Sequence, residues 1–310
     1  MTIIQLEYII AVDIYRHFGR AAESCHITQP TLSMQIQKLE DQLGVLIFDR
    51  AKTPVEPTDA GTRIIEQAKV VIHEMRKIQE MVSAERGEIS GELTIGVIPT
   101  ISPYLLPLFI NQFLDKYPDV ILHIEEMITS DVLRHLKSER IDIGLIVTPL
   151  EDSDYSVKPL YYEDFVGYVS NKNEYYGKNE LDAKNLHTEE LLLLNEGHCF
   201  RDQVLKICGD YKSTNRRFTY ESGSLEALKK LVDKHGGMTL LPSLATVDMD
   251  PESSAKLRYF KAPVPVREVS LVTHKNFVKT GLARAIYNEI LESIPPYLNI
   301  KKHGEVIRWK

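Results

Sequence analysis

Near Gly91 the apolar residues of this 310-residue chain change their spacing. Before that point they recur at helical intervals, and after it short apolar runs alternate with helical stretches. One folding unit does not carry both patterns, and the length suits about two domains. Leu6, Ile9, Ile10 and Ile14 predict a first helix. Gly19 to Ser24 predicts a short second one, with Ala21 and Ala22 closely packed, and Thr31 to Leu43 a third. The third carries Leu32, Ile36, Leu39 and Leu43 as one apolar stripe. Pro30 fits its start, where a missing N–H costs little, and Gly44 its end. Val45 to Thr58, with Pro54 and Pro57, suits a small hairpin. Thr58 or Asp59 can cap a fourth helix reaching about Arg86, with Ile64, Ala68, Val71, Ile72, Met75, Ile78 and Val82 on one side. A helix that long beside so small a domain predicts a connecting and dimerising role, and Gly87 to Gly91 a linker.

Beyond Gly91 the expected order is strand Leu93–Ile98, helix Ile101–Tyr117, strand Val120–Glu125, helix Asp131–Ser138 and strand Ile141–Val147. That is a βαβαβ unit, which implies a parallel sheet. A second such unit is expected from strands near Phe165–Ser170, Leu191–Asn195, Arg217–Glu221 and Met238–Leu241, with helices near Cys199–Cys208 and Ser224–His235. Strand Glu268–Thr273 and helix Val278–Ile294 would return to the first unit. Two α/β lobes joined by crossing strands enclose a cleft, where small ligands bind.

Several function classes drop out. The N-terminus has neither the basic region nor the cleavage site of a signal peptide, and no apolar run approaches the roughly 20 residues of a membrane span. The expected compartment is the cytoplasm, with no membrane partner. Three cysteines, Cys25, Cys199 and Cys208, are too few for a secreted disulfide framework. The histidines lack metal-ligand spacing, and His73-Glu74 has no second His to complete HExxH, so neither metal nor cofactor is expected. Cys25 reads as a core residue of the helical region, and Gly236-Gly237 as a helix cap followed by strand entry.

The third helix presents Thr31, Ser33, Gln35, Gln37 and Lys38 away from its apolar stripe. Three helices, a turn after the second and a hairpin describe a winged helix-turn-helix, whose polar face can read a major groove; a plain three-helix domain with a solvated face fits the same periodicity. Charge favours neither reading, since the chain carries a net −7. The basic residues of 1–60 are Arg16, Arg20, Lys38, Arg50 and Lys52, outnumbered by acidic ones. DNA binding would then rest on few phosphate contacts, doubled by dimerisation.

Phe18-Gly19-Arg20-Ala21-Ala22, Thr28-Gln29-Pro30-Thr31-Leu32-Ser33, Gln35-Ile36, Lys38-Leu39-Glu40 and Leu43-Gly44 through Phe48-Asp49-Arg50 resemble the N-terminal signature of the LysR-type transcriptional regulators. The resemblance implies an α+β multidomain protein: a winged helix-turn-helix over 1–58, a linker and dimerisation helix over 59–90, and a two-lobed, periplasmic-binding-protein-like α/β effector domain over 91–310. Lobe I would take 91–162 and 267–310, and lobe II 163–266. It further implies a non-enzymatic activator acting as homodimer or homotetramer on double-stranded DNA, with RNA polymerase as a partner. The DNA contacts carried over are Gln29, Pro30, Thr31, Ser33, Gln35, Lys38 and Arg50. Met34 and Gln37 stand where the family often has basic residues, and the wing at Thr53 to Glu56 is poor in them.

Gly197-His198-Cys199-Phe200-Arg201-Asp202-Gln203, with Cys208 nine residues after Cys199, is the most informative stretch of the second half. A thiol at a helix N-terminus, with His198 and Arg201 close in sequence, is expected to favour its thiolate; the alternative is that Cys199 is a small core residue. In one unbroken helix the two cysteines stand ~13 Å apart along the axis and on opposite faces. A disulfide needs Cα atoms within roughly 7 Å. Bond formation would therefore require refolding, which turns oxidation into a conformational change. The segment resembles the hydrogen-peroxide-sensing members of the family, as do Ile98-Pro99-Thr100, Pro103 to Pro107, Ser224 to Leu228 and Gly237 to Pro242. By that resemblance Cys199 is the peroxidatic cysteine and Cys208 the resolving one. Thr100, Thr129 and His198 hold peroxide, Arg267, read as lying just before the closing strand, supports the thiolate, and a cellular thiol reductant resets the pair. Two other readings fit the residues: a regulator binding a small metabolite in the cleft, and a thiol peroxidase, which leaves residues 1–90 without a purpose.

Overall fold

The computed structural model describes residues 1–86, 89–186, 191–209, 223–298 and 304–308. The chain divides into two compact units, Met1–Glu88 and Ile89–Lys310.

The first unit contains helices α1 (Ile3–Tyr15), α2 (Phe18–Ser24) and α3 (Gln29–Leu43), a hairpin of β1 (Phe48–Asp49) and β2 (Glu56–Pro57), and helix α4 (Asp59–Arg86). Local chemistry sets the ends. Thr2 and Gln5 form a reciprocal capping box on α1, the His17 side chain caps α2, and Gly44 closes α3 in the left-handed region at φ 70°. Leu32, Ile36 and Leu39 of α3 pack against Leu6, Ile9, Ala21, Ala22, Ile47 and Phe48. Each of the Leu, Ile and Phe side chains among them contributes roughly 1.5–3 kcal/mol when fully buried. Cys25 is only half-buried against this core, short of the full burial expected for it. The expected single stripe of α4 splits in two. Ala68 and Ile72 are buried, joined by Ile65, while Val71 and Ile78 face outward with Val70.

The second unit begins with β3 (Gly91–Val97), α5 (Ser102–Lys116), β4 (Val120–Glu126), α6 (Thr129–Lys137), β5 (Ile143–Thr148) and β6 (Tyr155–Val169). It continues through β7 (Glu180–Leu181), α7 (Cys199–Cys208), α8 (Leu225–His235), β8 (Met238–Pro242), α9 (Pro251–Ser254) and β9 (Leu257–Phe260). Strand β10 (Pro265–His274), helix α10 (Thr280–Ser293) and β11 (Glu305–Val306) complete it. Among the described residues nine strands form one curled sheet, seven of them in the order β4-β3-β5-β10-β6-β9-β7, with β8 on β6 and β11 on β10. β3, β4 and β5 pair in parallel, as the βαβαβ pattern requires.

The second half of the sheet departs from that pattern. β6 pairs antiparallel with β8, β9 and β10, so the second lobe is a mixed sheet and not a second parallel unit. Leu191–Asn195 is not a strand, since only Leu191 bridges to Met238. Arg217–Glu221 lies outside the described residues. The expected strand Phe165–Ser170 is the far end of a 15-residue strand that begins at Tyr155. That length lets β6 serve both lobes, antiparallel to β10, whose pairing reaches β5 on its other side. Two apolar clusters result. One gathers β3, β5, α5 and α10 residues such as Ile95, Leu145, Phe109 and Ile286, and the other Phe165, Val204, Leu228 and Leu240.

Candidate functional site

Helix α7 begins in one of these clusters and ends in the other. Gly197 turns the chain at φ +91°, a conformation that suits glycine. His198 takes the N-cap position and Cys199 follows as the first helical residue. Cys199 is buried in the first-lobe cluster, whereas Phe200, Val204, Ile207 and Cys208 pack in the second. The two thiols thus sit at opposite ends of a ten-residue helix, ~13 Å apart along its axis. Both are free.

The charge that acts on Cys199 comes from across the sheet. Arg267 lies inside β10, not before it, and its guanidinium is 1% exposed. Its Nε donates to Glu163 Oε1 at 2.8 Å, Nη1 to Thr100 Oγ1 at 2.9 Å and Nη2 to the Thr100 carbonyl at 2.9 Å. The guanidinium lies over the Phe200 ring, 5.3 Å from its centroid. Glu163, equally buried on β6, is the counter-ion, and its other oxygen accepts the Leu244 N–H at 3.1 Å. Thr100 accepts from Arg267, which leaves its own O–H to donate elsewhere.

Burial pushes the Cys199 thiol above its ordinary range and is the largest influence on it. The Thr129 hydroxyl and the Arg267 charge pull it back, Asp202 opposes them, and the Phe200 N–H favours the thiolate. Thr129 Oγ1, on the first residue of α6, is buried beside the sulfur yet completes no hydrogen bond of good geometry among the described residues. Of the neighbours in sequence expected to favour the thiolate, the helix N-terminus does so through the Phe200 N–H, and the two side chains do not. Arg201 is turned away, its Nη1 donating to the Leu194 carbonyl at 2.8 Å. Burial holds His198 below the usual imidazole range against the pull of Glu126, so the ring is neutral near pH 7. Cys199 rests as a buried thiol whose one cationic neighbour of consequence is Arg267. Cys208, with burial alone acting on it, is pushed up to about 12.

His198 also faces a cavity of about 460 Å³ lined by Pro99, Tyr104, Ile128, Gly223 and Glu226, among others. This is the opening between the lobes. Thr100, Thr129, His198 and Arg267 thus converge around one end of α7, and Cys208 stands at the other. Glu163 and Phe200 belong to the same cluster. Sequence reasoning missed both, since a Glu–Arg pair separated by 104 positions leaves no local signature.

In the first unit, α3 exposes Gln29, Pro30, Thr31 and Lys38 together, and half-buries Ser33 and Gln35. Gln35 is occupied from inside, since Gln5 Nε2 donates to its Oε1 at 3.3 Å. Arg50 of the hairpin reaches back to α3, with Nη1 to Ser33 Oγ at 3.2 Å, Nη2 to Glu40 Oε2 at 2.9 Å and the Phe18 ring 5.2 Å away. Glu40 is 4% exposed and also accepts the Ile47 and Phe48 N–H groups at 2.8 and 3.2 Å. Glu40, which the family signature contains without a role, fastens the hairpin to the helix. Glu40→Leu is expected to cost the isolated first unit about 1–3 kcal/mol, the penalty for orphaning buried N–H groups, read from its urea midpoint. A midpoint unchanged from wild type would show that water takes over these bonds.

A model of the bacterial regulatory helix-turn-helix proteins of the lysR family matches residues 3–62, and one of the LysR substrate binding domain matches residues 86–295. The chain belongs to the LysR family of transcription regulators. Within it, the chain is 35% identical over 297 residues to the DNA-binding transcriptional dual regulator OxyR of Escherichia coli, covering 95% of each chain. The structure of full-length OxyR from Pseudomonas aeruginosa, in a cysteine-to-aspartate variant, superimposes with a TM-score of 0.78 at 35% identity, covering 97% of this chain and 96% of that one. A cysteine variant of OxyR from Corynebacterium glutamicum with hydrogen peroxide bound gives a TM-score of 0.61 at 28% identity, covering 94% of this chain and 92% of that one. No described helix is long and apolar enough to cross a membrane, and no cluster of three metal-ligating side chains occurs among the described residues.

Proposed function

We propose that this regulator senses hydrogen peroxide at Cys199 and records the event as a Cys199–Cys208 disulfide. The observation that carries the reading is the buried thiol set beside a Thr129 hydroxyl with no hydrogen bond of good geometry among the described residues, and the Arg267–Thr100 pair. A peroxide molecule supplies the donors and acceptors that such a site lacks. The Cys199 sulfur, losing its proton under the Arg267 charge, attacks one peroxide oxygen. The S–O bond forms and the O–O bond breaks. The departing hydroxide takes a proton donated through Thr100, Thr129 or neutral His198 and leaves as water. Cysteine sulfenic acid is the product. The Cys208 sulfur then attacks that sulfur, the S–S bond forms and a second water leaves. Two thiols and one peroxide become one disulfide and two waters.

The second step is gated by the fold. Cys208 is buried in the second-lobe cluster with its thiol pushed up to about 12, so it becomes a nucleophile only after leaving its pocket. Oxidation must therefore unwind α7, and that rearrangement is the signal. A thiol reductant of the cell resets it. On double-stranded DNA the exposed Gln29, Pro30, Thr31 and Lys38 contact the groove directly, while Ser33, Gln35 and Arg50 also order the reading face. A homodimer, paired through the outward apolar face of α4 at Val71 and Ile78, and a tetramer built from it would multiply the few phosphate contacts. The regulator acts in the cytoplasm as an activator, with RNA polymerase as its partner, and turns over no substrate.

Mass mapping after one equivalent of peroxide is expected to find the intramolecular disulfide in wild type. Cys199→Ser should leave Cys208 as a free thiol. Two free thiols in treated wild type would sink the reading. The cavity beside His198 supports a second reading, a small metabolite between the lobes, under which Cys199→Ser keeps the transcriptional response intact.

A further inference from the structure

The middle of α7 is tied to the end of the chain. Gln203 is fully buried between the two cysteines, and its Nε2 donates to the Ile307 carbonyl at 2.5 Å. Ile307 belongs to a short segment, Gly304–Arg308, that runs alongside β10. β11 pairs in parallel with Pro265 and Val266, directly before Arg267. The Glu305 N–H donates to the Val264 carbonyl and the Ile307 N–H to the Val266 carbonyl, each at 2.9 Å. The approach is close. A Cβ on Gly304 would stand 2.4 Å from the Val264 carbonyl oxygen and 2.7 Å from Val266 Cγ1, so this position admits only glycine if the segment is to lie there. The Ile307 side chain packs against the second-lobe cluster that also holds Val204, Ile207 and Cys208.

We infer that Gln203 and the C-terminal segment Gly304–Arg308 form a clasp that holds α7 helical and thereby sets how fast Cys208 can reach an oxidised Cys199. The inference rests on the redox reading for its consequence, but the clasp itself is a property of the reduced protein. α7 cannot unwind around Gln203 while the amide is bonded to a strand that is itself paired to β10. Opening must break the Gln203–Ile307 bond or lift the segment away. The clasp is built to give way. Gln203 Oε1 is buried and has no hydrogen-bond partner among the described residues, so release to water would satisfy an atom that none of them pairs with. Gln203 is in this sense a positioning residue for the second chemical step and takes no part in the first.

Two measurements on the full-length protein test the clasp, using Gly304→Val, which drives a side chain into β10, and a chain ending at residue 303. In the reduced state, amide hydrogen exchange over residues 203–208 is expected to quicken at least tenfold in both, with α5 and α10 unchanged. After one equivalent of hydrogen peroxide, both should form sulfenic acid at Cys199 at the wild-type rate and close the disulfide at least threefold faster. Gln203→Leu, which removes the donor without touching the segment, should follow them in the same direction. Wild-type exchange over 203–208 in the Gly304→Val and truncated proteins overturns the clasp, as does exchange quickened equally in α5 and α10, which would mark general destabilisation. A wild-type protein that never closes the disulfide overturns the redox reading, and the exchange result then decides the clasp on its own.

Discussion

Arg267→Met is expected to destabilise the effector unit by about 3–5 kcal/mol, because it leaves the Glu163 carboxylate buried without its counter-charge. The same change removes the cation that opposes burial at Cys199, so the thiol moves further up and its reaction with an alkylating reagent at pH 7.5 slows. The two effects separate in a double variant. Arg267→Met with Glu163→Gln removes both charges and should recover most of the lost stability, since no uncompensated charge remains inside. It should not recover the thiol reactivity, which depends on the charge. Urea midpoints at constant slope measure the first effect and the pH profile of alkylation the second. A double variant as unstable as the single one would show that Arg267 acts through packing on Phe200 and Thr100 more than through charge.

The second large effect concerns Cys208. In the native reduced protein its thiol stands at about 12, against an ordinary value of 9.0. Near neutral pH its thiolate population, and with it its alkylation rate, is expected to be roughly 10³-fold below that of the same cysteine in urea. The sign follows from the cause. Burial disfavours the charged form, so reactivity climbs about tenfold per pH unit and has not levelled off by pH 10. Oxidising Cys199 in the presence of a trapping reagent should abolish this protection, because α7 must open for the disulfide to form. Competitive alkylation at Cys208, read by mass, measures it. Equal native and unfolded rates would mean that Cys208 is already accessible, and the gate on the second step would be lost.

How much of this was legible beforehand depended on how far apart the interacting residues lie. The helix Cys199–Cys208, the βαβαβ opening and the α3 stripe are local, set by caps, glycines and periodicity within a dozen residues, and the structure shows them, except that the stripe stops at Leu39 and Leu43 is exposed. The failures are non-local. Leu191–Asn195 has the apolar run of a strand, but among the described residues it makes a single bridge, Leu191 to Met238. The sequence pattern marks β6 only at its far end, because residues 155–164 gain their strand conformation from pairing with β10. Val71 and Ile78 of α4 fit the helical period as well as Ala68 and Ile72 do, but lie on the outer face.

The candidate site divides along the same line. Cys199, Cys208 and the impossibility of bonding them across an intact helix follow from nine residues of spacing and the pitch of the α-helix. The state of the thiols does not. His198 and Arg201 lie within two residues of Cys199 in the chain, yet one is held neutral by burial and the other is turned toward Leu194. The charge that matters arrives from Arg267 and is balanced by Glu163, on strands brought side by side by the sheet. Helical geometry repeats over a few residues and can be counted along the chain. Burial and Coulomb interaction depend on distance through space, and only the folded sheet makes residues 163, 199 and 267 neighbours.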